Sequence, residues 1–76
     1  MDPRLQQETE AAAREILEYL EASSETPVQT LRDAVGKPDL YFYMGLGDLI
    51  LKRLVTIQHR QEAFWAIRRP GLVKAA

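Results

Sequence analysis

The sequence predicts a small α+β domain, three helices followed by a C-terminal β-hairpin. Two observations carry this. The apolar stretch LYFYMGLGDLILKRL has helical length and runs without a linker into LVTIQHRQEAFWAI, two β-rich runs divided by a polar break. Two further helical segments precede that unit. The 76 residues suffice for one domain, with its core over about residues 5–69 and residues 70–76 as a loose tail.

The first helix is expected from about Leu5 to Ala22. Ala12, Ala13, Ile16, Leu17 and Leu20 recur at helical spacing and form one apolar stripe. Glu8, Glu10, Arg14, Glu15, Glu18 and Glu21 take the opposite face, where Glu10–Arg14 and Arg14–Glu18 are spaced for i,i+4 pairs. Ser23 to Pro27 ends the helix with small polar residues and a proline.

The second helix is short and has two candidate starts. Either Thr26 caps it, with Pro27 first and Gln29 closing a capping box, or Pro27 and Val28 form an extended piece that pairs with the hairpin and the helix begins near Gln29. In both cases Val28, Leu31, Ala34 and Val35 point inward and Gly36 stops the helix.

The third helix is expected to start at Asp39 as N-cap, after Pro38. Phe42, Tyr43, Leu46, Leu49, Ile50 and Arg53 form the expected inward stripe. Tyr41, Met44, Gly45, Asp48 and Lys52 face outward. Two mid-helix glycines, Gly45 and Gly47, each cost about 1 kcal/mol relative to alanine and suggest close approach by a helix or ligand.

In the hairpin Val55 and Ile57 alternate with Thr56 and Gln58, and Trp65 and Ile67 with Phe64 and Ala66. Trp65 and Ile67 are read as packing over the core. His59, Arg60, Gln61 and Glu62 form the polar tip, which lacks the Asn-Gly or Asp-Gly signature and so leaves the turn type open. Pro70-Gly71 ends the second strand.

Composition narrows the classes of function. The absence of cysteine excludes disulfides, thiolate metal sites and thiol nucleophiles. The 46% hydrophobic content supplies a core, and the small size makes dimerisation an expectation. No apolar run approaches the roughly 20 residues of a membrane span. The N-terminal MDPRLQQETE carries no signal-peptide core, so the cytoplasm is the expected compartment. Net charge is −1 but uneven: residues 1–36 hold three Arg against eight Asp and Glu, net −5, and residues 37–76 hold seven Lys and Arg against three acids, net +4. A basic helix-plus-hairpin half is the asymmetry associated with a nucleic-acid face.

The run from Met44 to Val55, MGLGDLILKRLV, together with the element order, resembles the winged helix-turn-helix superfamily, and within it the "ALGWLxREGKV" segment of small prokaryotic winged-helix domains of unknown function. The resemblance covers about residues 12–69. Asp48 stands where the group has Trp, and Arg53 where it has Gly before the strand. What the resemblance implies is the fold and a DNA-binding ancestry, with the third helix in the major groove and the hairpin on phosphate or minor groove.

On that reading Tyr41, Met44, Asp48 and Lys52 face the groove, and Lys37, Arg60, Arg68 and Arg69 hold phosphates. The groove set is poor in the Arg, Lys, Asn and Gln that read base edges. The alternative is a protein-interaction module, or a homodimer, that uses the same third-helix face and Phe64; a homodimer through the first helix is compatible with either. No cofactor is expected. Neither is an active site: Gly45-Leu46-Gly47 lies within a helix and lacks a third glycine, and Ser23 and Ser24 are far in sequence from His59, the sole histidine.

Overall fold

The computed structural model describes residues 2–69, so the expected tail from Pro70 onward lies outside the described residues. The elements run α1 (Pro3–Ala22), β1 (Glu25–Pro27), α2 (Val28–Val35), α3 (Asp39–Leu51), β2 (Val55–Arg60) and β3 (Ala63–Arg68). The strands form one antiparallel sheet in the order β1-β3-β2. Three helices with a C-terminal hairpin completed by a short strand after the first helix make an α+β domain of winged-helix layout. Among the described residues no helix is long and apolar enough to cross a membrane.

Capped by Asp2, whose carboxylate accepts the Arg4 N–H at 2.8 Å, α1 begins at Pro3, two residues ahead of the expected start. Ala12, Ala13, Ile16 and Leu20 are buried as their spacing requires. The Glu10–Arg14 and Arg14–Glu18 pairs are not made; Glu8 and Glu15 instead reach across to Lys37. Of the two starts for α2, the extended one holds in part: the paired strand is Glu25–Pro27, and Val28, expected in it, is instead the first residue of the helix. Glu25, Thr26 and Pro27 pair with Ile67, Ala66 and Trp65, and the Thr26 hydroxyl, buried, donates to the Ser23 carbonyl at 2.9 Å. Leu31 is fully buried and Val28 and Val35 pack against the core, but Ala34 is exposed, contrary to expectation. Gly36 ends α2 with φ 72°, its N–H donating to Arg32 O.

Pro38, not Asp39, occupies the N-cap position of α3; without a side-chain cap there, Asp39 serves the helix through its charge in the first turn. The inward stripe is rotated from the expected one. Phe42, Gly45, Leu46 and Leu49 are buried, whereas Tyr43 and Ile50 are exposed and Arg53 lies past the helix end. The reason is Gly45, which is pressed against α1: a Cβ there would lie 2.8 Å from Ala13 N and 3.1 Å from Thr9 O. Only glycine admits that approach, and it turns the 42/45/46/49 face toward α1.

The helix closes in a Schellman motif, with Arg53 N–H on Ile50 O and Leu54 N–H on Leu49 O, both 3.0 Å. Arg53 sits at the left-handed position (φ 64°), which explains why glycine is the residue expected there.

In β3 the core-facing residue is Ala66, fully buried and paired with Ile57. Alternation then places Trp65 and Ile67 on the outer face of the sheet, which corrects the expectation that they cover the core. Trp65 is half-buried there beneath Arg60, whose guanidinium lies 5.5 Å from the ring centroid. His59 belongs to β2, not the turn, and stacks on its cross-strand partner Phe64 at 4.6 Å.

The turn is Gln61-Glu62 alone, with φ 51° and 67°, the two left-handed residues of a type I′ turn. Neither residue favours that conformation. Gln61→Asn with Glu62→Gly is therefore expected to stabilise the fold by about 1–2 kcal/mol, read as a higher urea midpoint at unchanged slope. No shift in midpoint would refute the turn assignment.

Candidate interaction face

The solvent side of α3 is apolar along its length. Leu40 (60% exposed), Tyr43 (47%), Ile50 (38%) and Leu51 (83%) stand out of the surface, with half-buried Met44 and Gly47 among them. Two grooves flank this ridge. One, of about 820 Å³, lies between α3 and the start of α1, where Met44, Ile50 and Leu51 face Gln6, Thr9 and Glu10. The other, of about 800 Å³, is bounded by Val28 and Asp33 of α2, Tyr43 of α3, and Ile57 and Phe64 of the hairpin. Phe64 is 58% exposed and shares this second groove with Tyr43, not with Met44. The apolar groups singled out in the sequence thus fall on two sides of one helix.

The expected groove-facing residues are only partly on the solvent side. Tyr41, Met44 and Asp48 are half-buried, the last two lining the groove beside α1, and Lys52 is exposed but bound to Asp48 at 3.0 Å, an i,i+4 pair. Lys37 is held between Glu8 (3.8 Å) and Glu15 (3.5 Å) of α1. Arg60 is clamped on the outer face of the sheet: Nη1 donates to Glu25 Oε1 and Nε to Gln58 Oε1, each at 2.9 Å. Arg68 lies 3.8 Å from Glu21, and its Nε is buried without a hydrogen-bond partner. Arg69 is exposed and has no acidic partner among the described residues.

Exposed ion pairs of this kind are each worth about 1 kcal/mol or less, so strength is not the point. Cancellation is. Three of the four cations expected on phosphate, Lys37, Arg60 and Arg68, present a neutralised charge, as does Lys52 of the groove set. Arg32 is likewise engaged: its guanidinium is held above its ordinary value by hydrogen bonding with the Tyr43 hydroxyl and then by Asp39.

Arg53 joins Arg69 as a cation without an acidic partner among the described residues, and the two lie close together, since the Arg69 N–H donates to Leu54 O at 2.8 Å. Sequence reasoning missed Arg53 by placing it on the inward stripe. The signal that would have found it was the substitution of the expected glycine, which marks a turn position with its side chain outside the helix. Leu40 and Ile50 were missed because the apolar residues of α3 spread over too much of its circumference to fix its rotation.

No family model matches the chain, and no curated protein matches it.

Proposed function

We propose that the chain is a protein-interaction module on a winged-helix scaffold, and that it engages its partner through the solvent face of α3. The observation that carries this reading is the chemistry of that face. Leu40, Met44, Gly47 and Leu51, flanked by Tyr43 and Ile50, offer area to an apolar partner and almost nothing to a base edge. A helix that reads a major groove needs donors and acceptors on that side. The pairing of Lys37, Lys52, Arg60 and Arg68 with carboxylates supports the same reading, because it removes the positive field that draws a duplex.

Duplex DNA binding is the second reading. It is favoured by the element order, which is that of winged helices that bind DNA, and by the adjacent cations Arg53 and Arg69.

Anisotropy titration against random duplex DNA separates the two. The interaction reading expects no binding at about 50 mM salt, where phosphate contacts are strongest. Binding that weakens steeply with salt, with a slope flattened by Arg53→Ala and Arg69→Ala together but untouched by Leu51→Glu, would overturn it.

A further inference from the structure

The geometry points to a second copy of this chain as the occupant of the α3 face, two α3 helices crossing antiparallel at Gly47. The inference rests on the interaction reading above and names its partner.

Gly47 is the starting point. Unlike Gly45, it has nothing within 4 Å of where a Cβ would be, so packing within one chain does not require glycine there. It sits in the interior of α3, where glycine is the poorest helix former after proline. On the solvent ridge its missing side chain leaves a notch that lets another backbone come close, as small residues do at helix crossings.

The residues around the notch are arranged palindromically. Tyr43 and Met44 lie four and three positions before Gly47, and Ile50 and Leu51 three and four after it; Leu40 and Leu54 lie seven to either side. A two-fold axis through Gly47 therefore sets Met44 against Ile50 of the second copy, and Tyr43 against Leu51. This is the self-complementarity that an isologous interface demands. Leu54 is past the end of the helix and packs on its own core, so the two central turns carry the contact. A different protein as partner would not require such symmetry.

Charge selects the direction. Asp39 begins α3, and Lys52 and Arg53 follow its end. An antiparallel crossing brings the acidic start of each helix toward the basic end of the other and opposes the helix dipoles, whereas a parallel one stacks like on like. Lys52 is already paired with Asp48, and Arg53, without an acidic partner among the described residues, is the cation left to meet Asp39 of the second copy. The net charge of −1 gives negligible self-repulsion. Such a dimer covers the helix face that a duplex would need.

Sedimentation equilibrium of the full chain, from micromolar to millimolar concentration, should show the 8.7 kDa monomer converting to twice that mass. Leu51→Glu, at a site too exposed to disturb the core, should weaken association about tenfold or more. Gly47→Leu is the sharper variant. Unspecific apolar adhesion would tighten with the added leucine, but a crossing at the notch must be lost. Because the chain has no cysteine, Gly47→Cys should also oxidise to a covalent dimer, and Ala34→Cys on α2 should not.

A single 8.7 kDa species at millimolar concentration, or tighter association of Gly47→Leu, overturns the inference. If that monomer also fails to bind duplex DNA, the interaction reading stands with a different partner. If it binds duplex DNA with a steep salt slope, both fall.

Discussion

Gly45→Leu is expected to abolish cooperative folding. The α1–α3 contact is built on the absence of a side chain at this position: a Cβ would meet Ala13 N at 2.8 Å, Thr9 O at 3.1 Å and Ala12 Cβ at 3.2 Å. The first two are backbone atoms of a regular helix and cannot rotate aside, so the helices must separate. Gly45→Ala already overpacks the contact, at a cost of about 1–3 kcal/mol, offset by about 1 kcal/mol of helix propensity. Leucine adds three more carbons in the same direction. A small domain has total stability near the lower end of roughly 5–15 kcal/mol, and forcing α3 off α1 exposes the core that both helices share. Urea unfolding followed by circular dichroism measures the effect. The control is Gly47→Ala, read at a concentration where the chain is monomeric. With open space around its Cβ it should gain about 1 kcal/mol from propensity alone. Opposite signs at two glycines two residues apart would show that α3 is clamped on one side and free on the other. A Gly45→Leu variant with the parental midpoint would show that the helices do not touch there.

What the sequence made legible follows from where polarity and apolarity separate. The α1 stripe of Ala12, Ala13, Ile16 and Leu20 could be read because glutamates occupy the remaining face, and Gly36 because it follows the last inward residue of a short helix. The hairpin could be read from its β-rich runs. The rotation of α3 could not. Leu40, Phe42, Tyr43, Met44, Leu46, Leu49, Ile50 and Leu51 cover all of the helix but the arc of Tyr41, Gly45, Asp48 and Lys52, and hydrophobic periodicity sets no sharp phase where the apolar face is so wide. A steric fact, the fit of Gly45 against α1, sets it instead. The same difficulty affects β3, where size and hydrophobicity point to Trp65 as the core residue, yet the space under the sheet admits Ala66, and Arg60 supplies the cover for Trp65. The candidate site suffered most. Whether a basic residue presents free charge depends on carboxylates distant in sequence: Glu25 for Arg60, Glu21 for Arg68, Glu8 and Glu15 for Lys37. No local pattern carries that information.

Phe42→Ala is expected to destabilise the fold by about 3–5 kcal/mol, enough to leave much of a small domain unfolded near physiological temperature. Phe42 is the largest of the fully buried side chains and belongs to one cluster with Ile16, Leu20, Leu31, Leu49 and Val55. Its ring therefore joins α1, α2, α3 and the sheet, and its loss removes apolar burial from all of them and leaves a cavity that rigid neighbours fill only in part. Tyr43, the next residue, makes the comparison informative. Its ring meets Phe42 edge-on at 4.9 Å but is 47% exposed, so Tyr43→Ala should cost only about 1 kcal/mol. Had α3 the phase first read from its sequence, with Tyr43 and Ile50 inward, the two truncations would cost nearly the same. The ratio of the two losses, taken from paired urea titrations, thus reports the rotation of α3 directly. A large ratio places Leu40, Met44, Gly47 and Leu51 toward solvent, the condition on which recognition through this helix depends. Equal losses would turn that ridge inward and remove the surface itself.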